Sequence, residues 1–538
     1  MLGKQRAQQT LLAVELWAGR ELVPADSFYR RFAAVADELV TDEQFAGCYG
    51  SKGRPSIAPA LLTKVLLLAL HDGCSDRKAI EQLRLHLGWK VALGLALDDP
   101  GCHPTTLSVF RARLVLHELD RAVFSGVVRR AVAAGVLAKA ALLVVDASAM
   151  LGAGAVQDTY TLLRKALQRL VRAGRTQLPE AVRERLARYA QGEKAAIDWD
   201  DAAARRAELG RLVADARVAL TALAANEADT AADTSDGDAS LASDDLAERR
   251  AVGLARALLE QLLTQDVDEA ADGGPGLRRG VARERVPSVT DPAMRHGRKS
   301  KARKWTGYKQ HVMSDPDSEL VTAVATSPAS TGDGAVLPEL LTQSEQAGLV
   351  PGQVVGDQAY GGGALRETLA QQGIEVVAKV APTHNGAYFS KDRFLLDLEA
   401  GTVRCPADQT VAIPAPVRVG QAQRVQFPAE LCRACPLRAQ CVRGRRGRSI
   451  TVGAYEAQRQ RARTLQRQTE TQTLLRQRPK VERKLAHLVR WGSRQARYRG
   501  LRKVGLQLFL VGLLANIDRL SRLALNDPGL IGRLGGVN

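Results

Sequence analysis

Three acids in this 538-residue chain stand where chemistry could be done. Asp146 closes the apolar run Ala141-Leu142-Leu143-Val144-Val145, and Asp357 closes Gln353-Val354-Val355-Gly356. Short continuous apolar runs of this kind read as buried strands, and ligands bind at the carboxyl edge of open α/β sheets. A strand-terminal Asp is equally a turn residue, but two of them, each following a Val-Val pair, point to a site. The third candidate, Glu482, lies in Arg478-Pro479-Lys480-Val481-Glu482-Arg483-Lys484 beside an apolar stripe of Val481, Leu485 and Leu488 at helical spacing. Its other reading is an intrahelical partner of Arg478, one turn earlier. Three carboxylates suit Mg²⁺ or Mn²⁺, hard cations that keep waters and substrate phosphate oxygens in their shell. A pair of such ions activates a water on one side and stabilises a leaving oxygen on the other.

A second set is made of thiols. Cys405, Cys432, Cys435 and Cys441 fall close together, while Cys48, Cys74 and Cys102 stand apart. The Cys-x2-Cys pair with two flanking cysteines suits a structural, tetrahedral Zn²⁺ with no open position; redox or incidental thiols are the alternative. The opening segment carries charge through its apolar part, unlike a secretory signal. The longest apolar stretch, 504–517, is broken by Gln507 and Asn516 and is too short to span a bilayer. A cytoplasmic chain with reduced thiols is expected.

Charge points to an anionic partner. Lys and Arg number 76 against 58 Asp and Glu, a net +18, and residues 443–503 alone hold 19 bases and three acids. A second run, 295–309, has Arg295, Arg298, Lys299, Lys301, Arg303, Lys304 and Lys309 with no acid, and Trp305 and Tyr308 interleaved. Such density neutralises phosphates without reading sequence; solvated basic faces and core aromatics are the plainer alternative. With 45% hydrophobic and 25% charged residues, the chain is neither disordered, collagen-like nor a small disulfide-stapled fold.

The elements that would position these residues divide as follows. Residues 1–24 read as a tail and 25–140 as a helical domain, whose short helices and tight turns suit a helix-turn-helix DNA-binding domain and equally any small bundle. In that domain Ser56 is a candidate cap for one helix, Gly73 ends it, Ser75 caps the next, and His103-Pro104 opens a third that carries Arg111 and Arg113 off its apolar face. Residues 141–156 and 286–381 read as a mixed α/β core, with strands at 308–314 and 320–326, a helix at 335–346, and then a strand, a helix and a strand to 380. A helical insertion at 157–285 includes an acidic stretch, 227–248, with eight acids and no base, expected as a flexible loop. Residues 382–452 read as a small cysteine-rich insertion, 453–525 as C-terminal helices completing the core, and 526–538 as a tail.

Taken together these stretches resemble a bacterial insertion-sequence transposase of the DDE type, closest to the insertion-sequence eleven-eighty-two family within the insertion-sequence-four-like set. The matching stretches are Arg54-Pro55-Ser56, Val144-Val145-Asp146-Ala147-Ser148, Thr290-Asp291-Pro292, Gly307-Tyr308-Lys309-Gln310-His311, Val355-Gly356-Asp357-Gln358-Ala359-Tyr360, the cysteine cluster, Arg478-Pro479-Lys480-Val481-Glu482-Arg483 and Arg497-Tyr498-Arg499-Gly500-Leu501. The resemblance covers roughly 25–150 and 285–525. It implies an RNase H-like core in which Asp146, Asp357 and Glu482 bind Mg²⁺, and a homodimer that pairs the terminal inverted repeats of its element. It also implies that DNA is held by Arg298, Lys299, Lys301, Lys304, Lys309, Arg478, Lys480, Arg483, Lys484, Arg490, Arg111 and Arg113, in the bacterial cytoplasm at the nucleoid. The related Tyr-Arg-Glu-Lys signature keeps its Arg as Arg478 and its Glu as Glu482, but its Tyr position is Leu475 and its Lys position Val489, beside Arg490. An inactive DNA-binding descendant of such an enzyme is the alternative.

Overall fold

The computed structural model describes residues 2–3, 22–50, 52–192, 196–233, 243–270, 273–416, 418 and 420–536. Six strands form the principal sheet: β1 (Ala140–Leu151), β2 (Arg295–Arg298), β3 (Lys304–Ser314), β4 (Val321–Pro328), β5 (Val350–Val355) and β6 (Glu375–Val377). β1 is central. β3 pairs antiparallel on one side of it and carries β2 and β4 on its far edge; β5 and then β6 run parallel on the other side. Leu143, Val144 and Val145 are fully buried, as a central strand covered on both faces requires.

The expected strand ends short of the observed one. β1 continues five residues beyond Asp146, because its pairing with β3 persists to Leu151 opposite Gly307. Gly307 permits this: its φ is +147°, and a Cβ there would stand 2.5 Å from the Met150 carbonyl oxygen and closer still to the Gly152 nitrogen. Parallel pairing with β5, in contrast, stops at Val144 opposite Val355. Asp146 is therefore a mid-strand residue on one side and an edge residue on the other.

The N-terminal region is helical, as its periodicity predicts: α1 (Phe28–Leu39), α2 (Pro59–His71), α3 (Asp76–Leu85), α4 (Leu87–Leu93), α5 (Pro104–Leu116) and α6 (Leu119–Ala133). Ser75 and His103 cap α3 and α5 through their side chains. Ser56 does not cap α2. That helix starts at Pro59, whose fixed φ suits a first turn, and the Ser56 hydroxyl accepts the Gly3 N–H instead. Most of the expected N-terminal tail lies outside the described residues.

The insertion after β1 builds its own core from α7 (Thr159–Ala173), α8 (Ala202–Asp233) and α9 (Ser243–Asp266). The acidic stretch is in part helical, since α8 and α9 run into it from both sides; residues 234–242 lie outside the described residues. Returning to the sheet, α10 (Leu337–Gln346) and α11 (Gly363–Gln371) connect β4 to β5 and β5 to β6. The cysteine-bearing segment forms β7 (Leu395–Asp397), β8 (Thr402–Arg404), β9 (Thr410–Ala412), β10 (Gln423–Gln426) and β11 (Ser449–Val452) around Phe394, Val403, Val425, Phe427, Ile450 and Val452. After it come α12 (Arg478–Leu488) and α13 (Leu501–Asn526). The expected C-terminal tail instead holds α14 (Gly529–Gly535), with Leu530 and Leu534 buried.

α13 joins the halves. It packs on β4 along one side and on α1, α2 and α6 along the other, so that the N-terminal helices and the sheet share one apolar core. Its two interrupting polar residues are fastened to backbone. Asn516 accepts the Val321 N–H and donates to the Val321 carbonyl, both at 2.8 Å. Gln507 donates to the Gly492 and Gln495 carbonyls and accepts the Arg497 N–H. Asp120 of α6, fully buried, is bonded by both terminal nitrogens of Arg502. A buried amide left unbonded costs roughly 1–3 kcal/mol, which is why these residues tolerate an otherwise apolar helix.

Replacing Gly307 with Ala forces both strain at positive φ and a backbone clash. A loss of about 3 kcal/mol or more is expected, read as a lowered midpoint of the sheet's unfolding transition in urea.

Candidate active site

Asp146 and Asp357 owe their proximity to register. Each stands two residues beyond the last parallel pair, Val144 opposite Val355, so the two carboxylates leave adjacent strands at the same level. Adjacent strands are about 4.8 Å apart. At this level β5 ends: Gly356 makes room for the Tyr360 ring, and Asp357 caps a turn of 3-10 helix over Gln358–Tyr360 by accepting the Ala359 N–H at 2.8 Å. The Asp146 carboxylate accepts its neighbour's Ala147 N–H at 2.9 Å.

Glu482 arrives on α12, which packs on β1 through Val481, Leu485 and Leu488. Two ties fix that helix to the strand. The Leu151 N–H donates to the Arg494 carbonyl and the Ala496 N–H to the Leu151 carbonyl, so the turn after α12 extends the pairing at the end of β1. Gln507 then holds the same turn from α13.

The three acids feel one another. Burial pushes the Asp146 carboxyl up to about 6; the Ala147 N–H and Arg478 oppose this, and the charges of Asp357 and Glu482 reinforce it. Arg478 bonds Glu482 Oε1 at 2.9 Å. Among the described residues no group of three or more His, Cys, Asp or Glu is gathered closely enough to hold a metal ion. The donor set is nonetheless one of hard carboxylate oxygens, and mutual repulsion around Asp146 is what a divalent cation would relieve.

Neighbours not counted among the expected metal-binding acids complete the site; of these Asp333 lies outside every stretch quoted for the resemblance. Tyr360 is fully buried, its hydroxyl has no partner, and its pKa is raised by burial and by Asp333, Asp146 and Asp357. Asp333 pairs with Lys309 at 2.6 Å. Further along β3, Gln310 donates to Ser148 at 2.7 Å, and buried His311 is pushed down to about 3 by desolvation while bonding Ser327. Only the apolar-then-acid pattern could have flagged this environment.

The basic residues sort by their partners. Arg298, Lys299, Lys301 and Lys304, with Arg303, are exposed around the β2–β3 turn, and Arg490 is exposed after α12. Lys480 faces Asp317 at 3.4 Å and Arg483 faces Glu319 at 3.6 Å. Others are engaged internally. Lys484 is buried and pushed down to about 8 by desolvation, and Lys309 is held by Asp333 and the Thr331 carbonyl. Arg111 pairs with Asp76 and lies over the Tyr498 ring, and Arg113 lies over Tyr49. Trp305 and Tyr308 are not stacking platforms: Trp305 donates to the Tyr308 carbonyl, and the buried Tyr308 hydroxyl donates to Asp291.

The four clustered cysteines line a single cavity of about 30 Å³ together with Phe394, Phe427 and Arg448. Burial raises the Cys441 thiol, Arg448 lowers it, and the other three thiols add to the rise. Cys432 Sγ accepts the Arg448 N–H at 3.4 Å.

The raised Asp146 pKa has a sign that can be checked. A carboxyl whose folded pKa lies above its unfolded one stabilises the fold below about pH 4 and loses that contribution as pH rises through 6. In EDTA at pH 8, Asp146→Asn should therefore be more stable than the parent by up to about 3 kcal/mol, the gap closing below pH 4. Thermal unfolding at the two pH values reads it.

Residues 285–517 match the family model described as a transposase DDE domain, and residues 18–113 match that of a transposase domain (DUF772). The first match contains Asp357 and Glu482; Asp146 falls between the two matches, ahead of the helical insertion. No curated protein and no solved structure matches the chain. Among the described residues no helix is long and apolar enough to cross a membrane. Residues 285–517 are thus similar to a transposase DDE domain, and residues 18–113, ahead of them, to a second transposase domain.

Proposed function

We propose that this chain is the transposase of an insertion sequence of the eleven-eighty-two type, with an RNase H-like core. It binds the terminal inverted repeats of its own element and cuts and joins DNA with Mg²⁺ or Mn²⁺. The observation that carries this reading is the convergence on Asp146 of two acids from distant parts of the sequence, Asp357 at the same level of the adjacent strand and Glu482 on α12, both of which act on its carboxyl, in a chain of net charge +18. The antiparallel run β1, β3 and β4, with the short β2 added to β3, followed by the parallel β5 and β6, supports the RNase H-like assignment.

In the proposed reaction, water attacks a phosphodiester at the element's end and releases a 3′-hydroxyl, which then attacks target DNA. Asp146, Asp357 and Glu482 would hold two divalent cations, which when bound supply an acidified water and Lewis acidity at the leaving oxygen. The protein's own contribution is positioning. The β1–β5 register fixes the two aspartates, and the Leu151 ties fix α12 against β1. Arg298, Lys299, Lys301, Lys304 and Arg490, all exposed, are the proposed phosphate contacts. Lys480 and Arg483 join them, since exposed ion pairs are worth under about 1 kcal/mol and yield readily to phosphate. Joining two ends calls for a homodimer on DNA, working at the bacterial nucleoid in the cytoplasm.

The cysteine cavity is proposed to hold a structural Zn²⁺ through Cys405, Cys432, Cys435 and Cys441. Four soft donors line one small cavity, with a backbone N–H already directed at Cys432, and this supports the reading although the thiols are not drawn in to ligand distance of one another. Purified protein should contain about one zinc per chain by mass spectrometry of metals, and Cys435→Ser should lose it together with the ordered structure of β7–β11 while leaving the helical signal of the N-terminal domain.

The decisive test uses supercoiled plasmid carrying the sequences that flank this reading frame. Asp146→Ala, Asp357→Ala and Glu482→Ala should each keep end binding in a gel shift and lose nicking in Mg²⁺ by about a thousandfold or more. Nicking that survives in any of the three, or in EDTA, would defeat the assignment.

A further inference from the structure

Arg478 sits where helix physics disfavours it. It is the first residue of α12, and a cation at a helix N-terminus opposes the macrodipole. Its pair with Glu482 also runs in the weaker i, i+4 order, base before acid. Local helix stability therefore does not account for an arginine here. The acid cluster does. The guanidinium reaches Glu482 at 2.9 Å, its charge also acts on Asp146, and its Nε is buried without a partner. The three acids, meanwhile, are not gathered to ligand distance.

We propose that Arg478 is the counter-ion of the acid cluster in the DNA-free protein: it holds Glu482 until a divalent cation takes its place, and its released guanidinium then bonds a phosphate of the element's end. The inference rests on the reading of Asp146, Asp357 and Glu482 as cation ligands. Arg478 is a positioning residue in this scheme, because it sets where Glu482 points. The exchange is feasible because the pair is part-hydrated, with the two side chains 35% and 50% exposed; a dry pair would hold too firmly to release. Release from Glu482 frees the terminal guanidinium nitrogen that now bonds it, a donor for the phosphate.

The test is Mn²⁺ binding to the full-length protein without DNA, followed by the loss of the free-ion signal in electron paramagnetic resonance. Arg478→Gln should bind Mn²⁺ roughly fivefold more tightly than the parent, the scale of a partly exposed ion pair, and Arg478→Lys should fall between the two. In metal-free buffer Arg478→Gln should melt below the parent, and Mn²⁺ should raise its melting temperature more than it raises the parent's. On end DNA the same variant should bind more weakly, with a salt dependence shallower by about one phosphate contact. Unchanged or weaker Mn²⁺ binding by Arg478→Gln, with Asp146→Asn still reducing it, would overturn the counter-ion role and leave the acids as ligands. Mn²⁺ affinity that is indifferent to Asp146→Asn in both backgrounds would instead overturn the reading of the acids themselves.

Discussion

A carboxyl is not buried unless a fold compels it, and the burial of Asp146 on the central strand, in the field of Asp357 and Glu482, is the constraint on which the site depends. Asp146 is already burdened by burial, which alone disfavours its ionised form. Two further carboxylates in its field add to that cost. Each of the three is therefore held by more than its own backbone. β1 is paired on both edges up to Val144 and on one edge beyond it; Asp357 is locked by its own cap; and the turn after α12 is stitched to Leu151. An acid cluster on loops would relax apart. Asp146, on a strand still paired along one edge, and Glu482, on a packed helix, are held in place, and a cation would relieve the charge around Asp146.

Several residues that carry the family resemblance turn out to be fasteners of this frame. Buried Asp291 accepts both the Tyr308 hydroxyl at 2.5 Å and the Gly500 N–H at 3.0 Å. Three quoted stretches, Thr290-Asp291-Pro292, Gly307-Tyr308 and Arg499-Gly500-Leu501, thus meet at one carboxylate. That junction ties the start of β3 to the start of α13, and α13 in turn carries Gln507 and Asn516 to the site's turn and to β4. A recurrent sequence stretch is as readily a joint as a contact to substrate, and here the joint stands behind the acids.

What the sequence made legible follows from the range of the forces involved. Apolar runs ending in acids, helix caps at Ser75 and His103, and the Val481–Leu485–Leu488 stripe are local signals, and they survive folding because each is satisfied within a few residues or on one face. The true length of β1 was not legible, because its last five residues are held by pairing with a strand more than 150 residues away. Lys484 and Lys309 read as free bases because charge is local but burial is not; Glu319, Asp333 and the packing over them come from other elements. Tyr360 was legible only as part of a quoted stretch, for the same reason: nothing in its neighbours in sequence reveals that Asp146 and Asp333 act on its hydroxyl.

The placement of the two insertions bears on how a duplex could lie. One interrupts the chain directly after β1, the other between β6 and α12, and each has a separate apolar core. Both can therefore vary without disturbing the register that sets the aspartates. The exposed basic turn between β2 and β3 is at the far end of β3 from the acids: Lys304 precedes Val312, the residue opposite Asp146, by eight positions. At about 3.3 Å per residue that is roughly 26 Å along the strand. A turn so far from the acids cannot touch a phosphate held at them; the separation is about three-quarters of a DNA helical repeat of roughly 34 Å. The same strand that fixes the level of Asp146 thus also fixes the distance from the acids to this basic turn.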